Sequence, residues 1–248
     1  MGKNVDFIFG LRPVIEAIRE GRQIDRLLLK HNLQGQLFHE LIREATANDI
    51  PYQFVPVERI NLHTRKNHQG VLAFISPVEY QKIENILPAV YEKGEDPLII
   101  CLDGVSDVRN FGAVARSASC LGAHAVLIPS KGVARISADS VKTSAGALNN
   151  FPVCRVKSIT AGIEFLKESG LKVISADEKS NLSLFDADLS GPVVLIMGSE
   201  ERGISGEILK ISDLVVKIPV TGQIGSLNVS VAAGILLYEI KRQRFMHR

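Results

Sequence analysis

The chain has 248 residues, 46% hydrophobic and 23% charged, which gives apolar mass for one large packed domain or two modest ones. Its formal net charge of +2 excludes a bulk basic signature: residues 1–77 hold 10 Lys+Arg and 8 Asp+Glu, and the remaining 19 and 19 cancel, so any nucleic acid must be met by local patches. No apolar run approaches the ~18 residues of a membrane span, the start MGKNVDFIFG has no signal-peptide core, and neither C-x-x-C nor H-E-x-x-H occurs, so neither membrane nor metal is expected. Cys101, Cys120 and Cys154 are expected as buried or half-buried thiols in a reducing cytosol.

Residues 7–75 read as a small α/β unit with a mixed sheet. A helix is expected over 12–20 and an apolar strand over 24–30. Residues 33–48 place apolar side chains at 33, 37, 38, 41, 42 and 45, a helical period. A short strand at 52–55 stops at Pro56, a helical turn follows at 57–62, and 71–75 is the last strand. NLHTRKNHQG (61–70) combines charge, amides and a glycine, and is the best RNA-facing loop of this part; Arg12, Arg22, Arg65, Lys66, His63 and His68 are its surface candidates. A solvated surface would carry the same residues. Residues 78–97, punctuated by Pro88, Gly94 and Pro97, read as a linker with one or two docked helical turns.

From Leu98 the pattern changes. Continuous apolar strands at 98–103, 125–129, 152–156, 171–176, 191–198 and 213–219 alternate with helices at 111–121, 138–145, 160–169 and 228–243. Such strands indicate a parallel sheet covered on both faces.

Three segments carry candidate chemistry. In LDGVSDVRNFGAVARSASCLGA (102–123), a strand ends at Asp103 and Asn110 stands where the next helix is expected to be capped. Arg116 follows six residues on, ~9 Å along the axis, and its side chain leans back toward Asn110. In LIMGSEERGIS (195–205), Met197 closes a buried strand and Gly198 and Gly203 permit positive φ or close approach around Glu200. No phosphate-binding glycine fingerprint is present, which suits a ligand without a polyphosphate. In VKIPVTGQIGSLNVSVAAGILLYEI (216–240), a strand runs to Ile218 and Pro219 and a Gly222/Gly225 loop follows. Ser226, Leu227, Asn228 and Ser230 then open a helix that Ser226 or Asn228 caps. Each segment alone also reads as ordinary capping and packing.

In this order, N-x-G-x-x-x-R, M-G-S-E-x-x-G-I-S and I-P-x-x-G-x-x-x-S-L-N-V-S resemble the three motifs of the SpoU (TrmH) family of RNA 2′-O-ribose methyltransferases, within the SPOUT superfamily. The resemblance covers about residues 98–243. It implies a parallel α/β sheet domain (98–248) with a C-terminal trefoil knot, a feature rare among folds. Before it would come a small L30e/L7Ae-like α/β RNA-binding domain (1–77) and the linker 78–97. S-adenosyl-L-methionine would bind in the knot around Gly198, Ile218 and Leu227, with Met197, Gly203, Pro219 and Ser230, largely through main-chain groups. Arg116 would be the leading catalytic residue, with Asn110, Glu200, Ser226 and Asn228 orienting it, the ribose or the loops. The family also implies a cytoplasmic homodimer with the final helix at its interface.

Length and layout are most similar to the bacterial large-subunit rRNA guanosine methyltransferases, which implies a guanosine in the peptidyltransferase-centre loop of 23S rRNA. A tRNA guanosine 2′-O-methyltransferase and an inactive RNA-binding homologue are the alternatives; the intact Asn110, Arg116, Glu200 and Asn228 set speaks against the second. A Rossmann-type small-molecule enzyme lacks its glycine fingerprint here. Two departures stand out. Glu201-Arg202 replaces the small or glycine-containing pair common in the second motif, and Asp107-Val108-Arg109 stands where D-P-H or D-P-x is common, so Arg109 is a candidate phosphate contact.

Overall fold

The structure, a computed structural model, describes residues 7–222 and 225–246. Residues 1–6, 223–224 and 247–248 lie outside it, and with them the chain start and part of the expected Gly222/Gly225 loop. The chain divides into two compact units, Met1–Glu79 and Tyr80–Arg248.

The first unit runs β1 (Phe7–Phe9), α1 (Leu11–Arg19), β2 (Ile24–Lys30), α2 (Gln36–Ala47), β3 (Tyr52–Val55), α3 (Val57–Asn61) and β4 (Val71–Ile75). Its sheet has the order β1-β4-β2-β3, antiparallel except for the β2–β3 pair, and is thus mixed. Alternation along β2 sends Leu27 and Leu29 to one face, where they bury against Val14, Ile18 and Leu41 of α1 and α2. Leu28 goes to the other face, with Val55, Ile60 and Leu72. β1 escaped the sequence because three residues before a helix carry no readable period.

The second unit contains β5 (Tyr80–Gln81), α4 (Ile83–Tyr91), β6 (Leu98–Asp103), α5 (Val108–Cys120), β7 (Ala125–Pro129), α6 (Ala138–Thr143), β8 (Val153–Val156) and α7 (Ile159–Glu168). There follow β9 (Lys172–Ala176), β10 (Leu182–Ser183), β11 (Val193–Gly198), α8 (Gly206–Ile211), β12 (Leu214–Lys217) and α9 (Val229–Met246). Eight strands form one sheet in the order β10-β12-β9-β11-β6-β7-β8-β5, every neighbouring pair parallel. The apolar strands of the sequence become this sheet because both faces are covered. On one face Ile99, Cys101, Val194 and Ile196 pack against Ile83 and Leu87 of α4, Ile163 and Leu166 of α7 and Ile208 of α8. Within the stretch expected as a linker, residues 80–91 therefore form a strand and a helix of this unit. On the other face α9 packs on α5 and on β11. Arg244, near the end of α9, donates to the carbonyls of Asp96, Pro97 and Gly191 and fastens the helix to the strand entrances.

Two expectations are corrected. α5 begins at Val108 and is capped by Asp107, whose Oδ1 accepts from the main-chain N–H of Arg109 and Asn110 at 2.8 Å each. Asp competes as well as Asn for that position, and sits where the chain still has extended geometry. Asn110 is thus in the first turn, with its side chain released for other work. Cys101 and Cys154 are buried, and burial pushes both thiols up, Cys154 to about 12; Cys120, at the exposed end of α5, is not buried.

Gly112, the glycine of the first motif, sets the α5–α6 spacing: a Cβ there would lie 2.7 Å from the carbonyl oxygen of Ser140 and 2.9 Å from Thr143 Cβ. Gly112→Ala should therefore destabilise the second unit by about 1–3 kcal/mol, visible as a lower urea midpoint at unchanged slope.

Candidate active site

Strand register brings two of the three motifs together. β6 and β11 pair in parallel with Asp103 opposite Gly198, so the loops that follow leave the sheet side by side. Ligands of open α/β sheets collect at this carboxyl edge. Asp103 Oδ2 also accepts from the main-chain N–H of Ser205 at 2.8 Å, tying the far end of the second loop to the start of the first.

The second loop is closed on itself. Ser199 and Gly203 exchange main-chain hydrogen bonds of 3.1 and 2.9 Å, with Gly203 at φ +67°. A Cβ on Gly198 would lie 2.2 Å from the carbonyl carbon of Gly203. The close approach that Gly198 permits is thus made by its own loop. The pinch projects residues 200–202 outward.

The third motif arrives through α9. Asn228 precedes the helix, and its Oδ1 accepts from the N–H of Ser230 at 2.9 Å and from the Ser230 hydroxyl at 2.6 Å. The other end of the same amide reaches the first two motifs: Asn228 Nδ2 donates to Glu200 Oε1 at 2.9 Å and to Asn110 Oδ1 at 3.1 Å. Asn110 Nδ2 donates to the same Glu200 oxygen at 2.8 Å. Asn110, Glu200 and Asn228, expected as orienting residues, form one triangle, and bonds to a carboxylate are the stronger kind.

Arg116 stands six residues along α5 from Asn110, exposed, with no hydrogen bond or ion pair among the described residues. Arg109 lies seven residues before it on the same exposed face, ~10 Å along the axis.

The remaining candidates divide by surroundings. Met197 is buried, and its residue pairs with Leu102 and Ala176 on either side, so it supports the site from below. Ser230 is engaged with Asn228. Ile218 is half-buried, while Pro219, Ser226 and Leu227 are exposed. Beyond the end of β12, residues 218–222 and 225–227 make no main-chain hydrogen bond among the described residues, leaving a stretch of free donors and acceptors.

A pocket of ≈ 300 Å³ opens beside the triangle, lined by residues 104–107, Asn110, Gly132 and residues 199–202. Sequence reasoning missed the contribution of the β7–α6 loop, because nothing in its composition signals that Ala134 hydrogen-bonds to the Val105 carbonyl and holds Gly132 there. A second, apolar pocket of ≈ 570 Å³ lies along α5 and α9, with Phe185, Val231, Ile235 and Tyr238 exposed around it.

In the first unit, His68 of the 61–70 loop is a fold element: it is buried, accepts from the N–H of Gly70 at Nδ1 and meets Asn61 Oδ1 at Nε2, 2.9 Å each. Its ring is committed, whereas Arg65, Lys66 and Leu62 are exposed. His63 sits edge-on to Phe74 at 5.0 Å.

Comparison with known proteins adds independent findings. Residues 97–238 match the SpoU rRNA Methylase family, and residues 7–81 match a domain described as RNA 2′-O ribose methyltransferase substrate binding. YacO of Bacillus subtilis, assigned to the TrmH family of tRNA/rRNA methyltransferases, is 32% identical over 98% of this chain and 98% of its own. The SpoU methyltransferase AviRb of Streptomyces viridochromogenes, solved in complex with the cofactor AdoMet, superposes with a TM-score of 0.61 at 27% identity, covering 97% of this chain and 90% of its own. A TrmH/SpoU tRNA modifying enzyme of A. aeolicus superposes with a TM-score of 0.56 at 29% identity, covering 66% of this chain and 85% of its own.

Asn228 serves as helix cap and as link between motifs, and the two roles separate by substitution. Asn228→Ala should cost about 2 kcal/mol in thermal or urea unfolding, and Asn228→Ser, which restores a cap without the second amide arm, should regain about 1 kcal/mol.

Proposed function

The chain belongs to the SpoU rRNA methylase family, and from that premise we propose that it transfers a methyl group from S-adenosyl-L-methionine to the 2′-hydroxyl of a ribose in RNA. The observation that carries the reading is the convergence of Asn110, Glu200 and Asn228, from three distant segments, at the carboxyl edge of the sheet, with Arg116 exposed six residues along the helix that carries Asn110.

The residues present fit the donor. The unbonded main chain of 218–222 and 225–227 supplies hydrogen-bonding groups, and Ile218 and Leu227 supply apolar contacts for an adenosyl group. In this reading Gly198, Gly203, Met197, Pro219, Ser226 and Ser230 would complete the donor site. Bound there, the sulfonium supplies an activated methyl, so no metal is called for. The chain's own task is to aim the ribose oxygen and manage its charge. A guanidinium stays protonated, which makes Arg116 unsuited to accepting a proton and well suited to holding a phosphate beside the target ribose and stabilising the developing oxyanion. The 2′-hydroxyl proton then leaves to that phosphate or to water. Arg109, on the same face of α5, is placed for a second phosphate. The Asn110–Glu200–Asn228 triangle keeps the loops in register.

The further parts of the reading are these. In this reading the substrate is a guanosine of 23S rRNA; the match of residues 97–238 to a family described as rRNA methylases supports the ribosomal part of it. The tRNA alternative is favoured by the likeness to the A. aeolicus enzyme, although that likeness covers 66% of the chain. The protein acts in the cytoplasm as a homodimer; the exposed apolar residues 231, 235 and 238 of α9, which share one helical face beside Phe185, support a second copy there. The trefoil threading of the C-terminal segment belongs to the same reading. Residues 1–77 bind RNA and 98–248 carry the transfer.

Incubation with labelled S-adenosylmethionine and total RNA, followed by mapping of the modified ribose, tests the activity directly. Arg116→Ala should lower kcat by about 100-fold or more while calorimetry finds S-adenosylmethionine bound as before; full activity in that variant refutes the assignment. A chain starting at residue 80, which keeps the α4 core residues, should retain the donor and bind RNA at least about tenfold more weakly, the loss of several phosphate contacts.

A further inference from the structure

We infer that the pocket beside the triangle takes the base of the nucleotide being methylated, that this base is guanine, and that Glu201 reads its Watson–Crick edge. The inference rests on the ribose-methylation reading above, guanosine included, and adds to it the pocket that holds the base and the residue that selects it.

The pocket shares a wall with the triangle through Asn110 and Glu200, so a base within it keeps its ribose next to these residues. Its lining comes from the loops after β6, β7 and β11, and none of it from residues 218–222 and 225–227, whose main chain is assigned to the donor. The volume, ≈ 300 Å³, is at the lower end of small-molecule sites and suits one nucleobase. Gly104 and Gly132, at φ +76° and +77°, leave two of its edges without side chains, which lets a flat ring lie against main chain.

Most polar side chains of the lining are already used. Asp107 caps α5, Glu200 holds the two amides, and the Ser199 hydroxyl accepts from the N–H of Arg202 at 3.1 Å. Glu201 and Arg202 are exposed at the loop tip, and neither side chain has a hydrogen bond or ion pair among the described residues. A carboxylate offers two adjacent acceptors and no donor. Guanine presents two adjacent donors, N1–H and the N2 amino group. Adenine, cytosine and uracil each set an acceptor beside their donor, which a carboxylate repels. Single-stranded RNA exposes this edge for such readout. Arg202, next in the chain, brings a positive charge to the neighbouring phosphate.

The test begins with the wild-type protein, tritiated S-adenosylmethionine and total RNA from cells lacking its gene, digested to nucleosides. Label is expected in 2′-O-methylguanosine. A synthetic fragment spanning the mapped site is then made with guanosine or with inosine, which lacks only the N2 amino group. Inosine should lower kcat/KM roughly tenfold for the wild type, the value of one good base contact. For Glu201→Gln and Glu201→Ala the same change should cost less than about twofold, with donor affinity unaltered, because the coupled pair is already broken. Label in any other nucleoside, or an equal inosine loss in all three proteins, overturns the base assignment while methylation itself stands. No label in any RNA brings down the methylation reading and this proposal together.

Discussion

Glu200 Oε1 accepts hydrogen bonds from two amides, Asn110 Nδ2 at 2.8 Å and Asn228 Nδ2 at 2.9 Å, and the two amides are themselves bonded at 3.1 Å. The donors lie 90 and 28 residues from the acceptor in sequence. Pinning such distant segments at one oxygen fixes the first turn of α5, the loop after β11 and the start of α9 relative to one another. A neutral acceptor would hold them less firmly, since hydrogen bonds to charged groups are roughly twice as strong as neutral ones. The site is therefore preorganised before any ligand arrives, which is where an electrostatic catalyst gains its advantage.

That contact is possible only because each residue is released from another duty or combines two. Asp107 takes the cap of α5, so the Asn110 amide is free. Asn228 spends its oxygen on the cap of α9 and its nitrogen on the triangle. Gly112 lets α6 close on α5, and the parallel register of β6 with β11 sets the two loops at one edge. The chain thus builds its site with ordinary capping and packing, used twice over.

Much of this was legible beforehand. Continuous apolar runs announced the parallel sheet, and the strand at 98–103 lies where expected. The mixed sheet of the first unit followed from alternating strands and helices, and three motifs in order pointed to Asn110, Glu200 and Asn228. Short elements were not legible: β1, β5 and β10 have three residues or fewer, too few for any period to show. Asp107 and Asn110, three positions apart, both suit the cap of α5, and only the backbone conformation distinguishes them. The sequence shows that Gly198 permits a close approach but not by what; Gly203 of the same loop makes it, a contact that depends on the turn between them. The base-sized pocket was out of reach for the same reason, since Gly132 joins it through a single main-chain bond from Ala134.

The pinched loop at 198–203 separates frame from tip. Its frame admits no side chain at 198 and is locked by a reciprocal pair of main-chain bonds, while the side chains of Glu201 and Arg202 make no hydrogen bond or ion pair among the described residues. Such an arrangement is modular: lettering at the tip can be rewritten with little penalty to folding, whereas a change in the frame would disturb everything resting on Glu200. A mutational library confined to these two positions would therefore vary the exposed tip on an undisturbed platform.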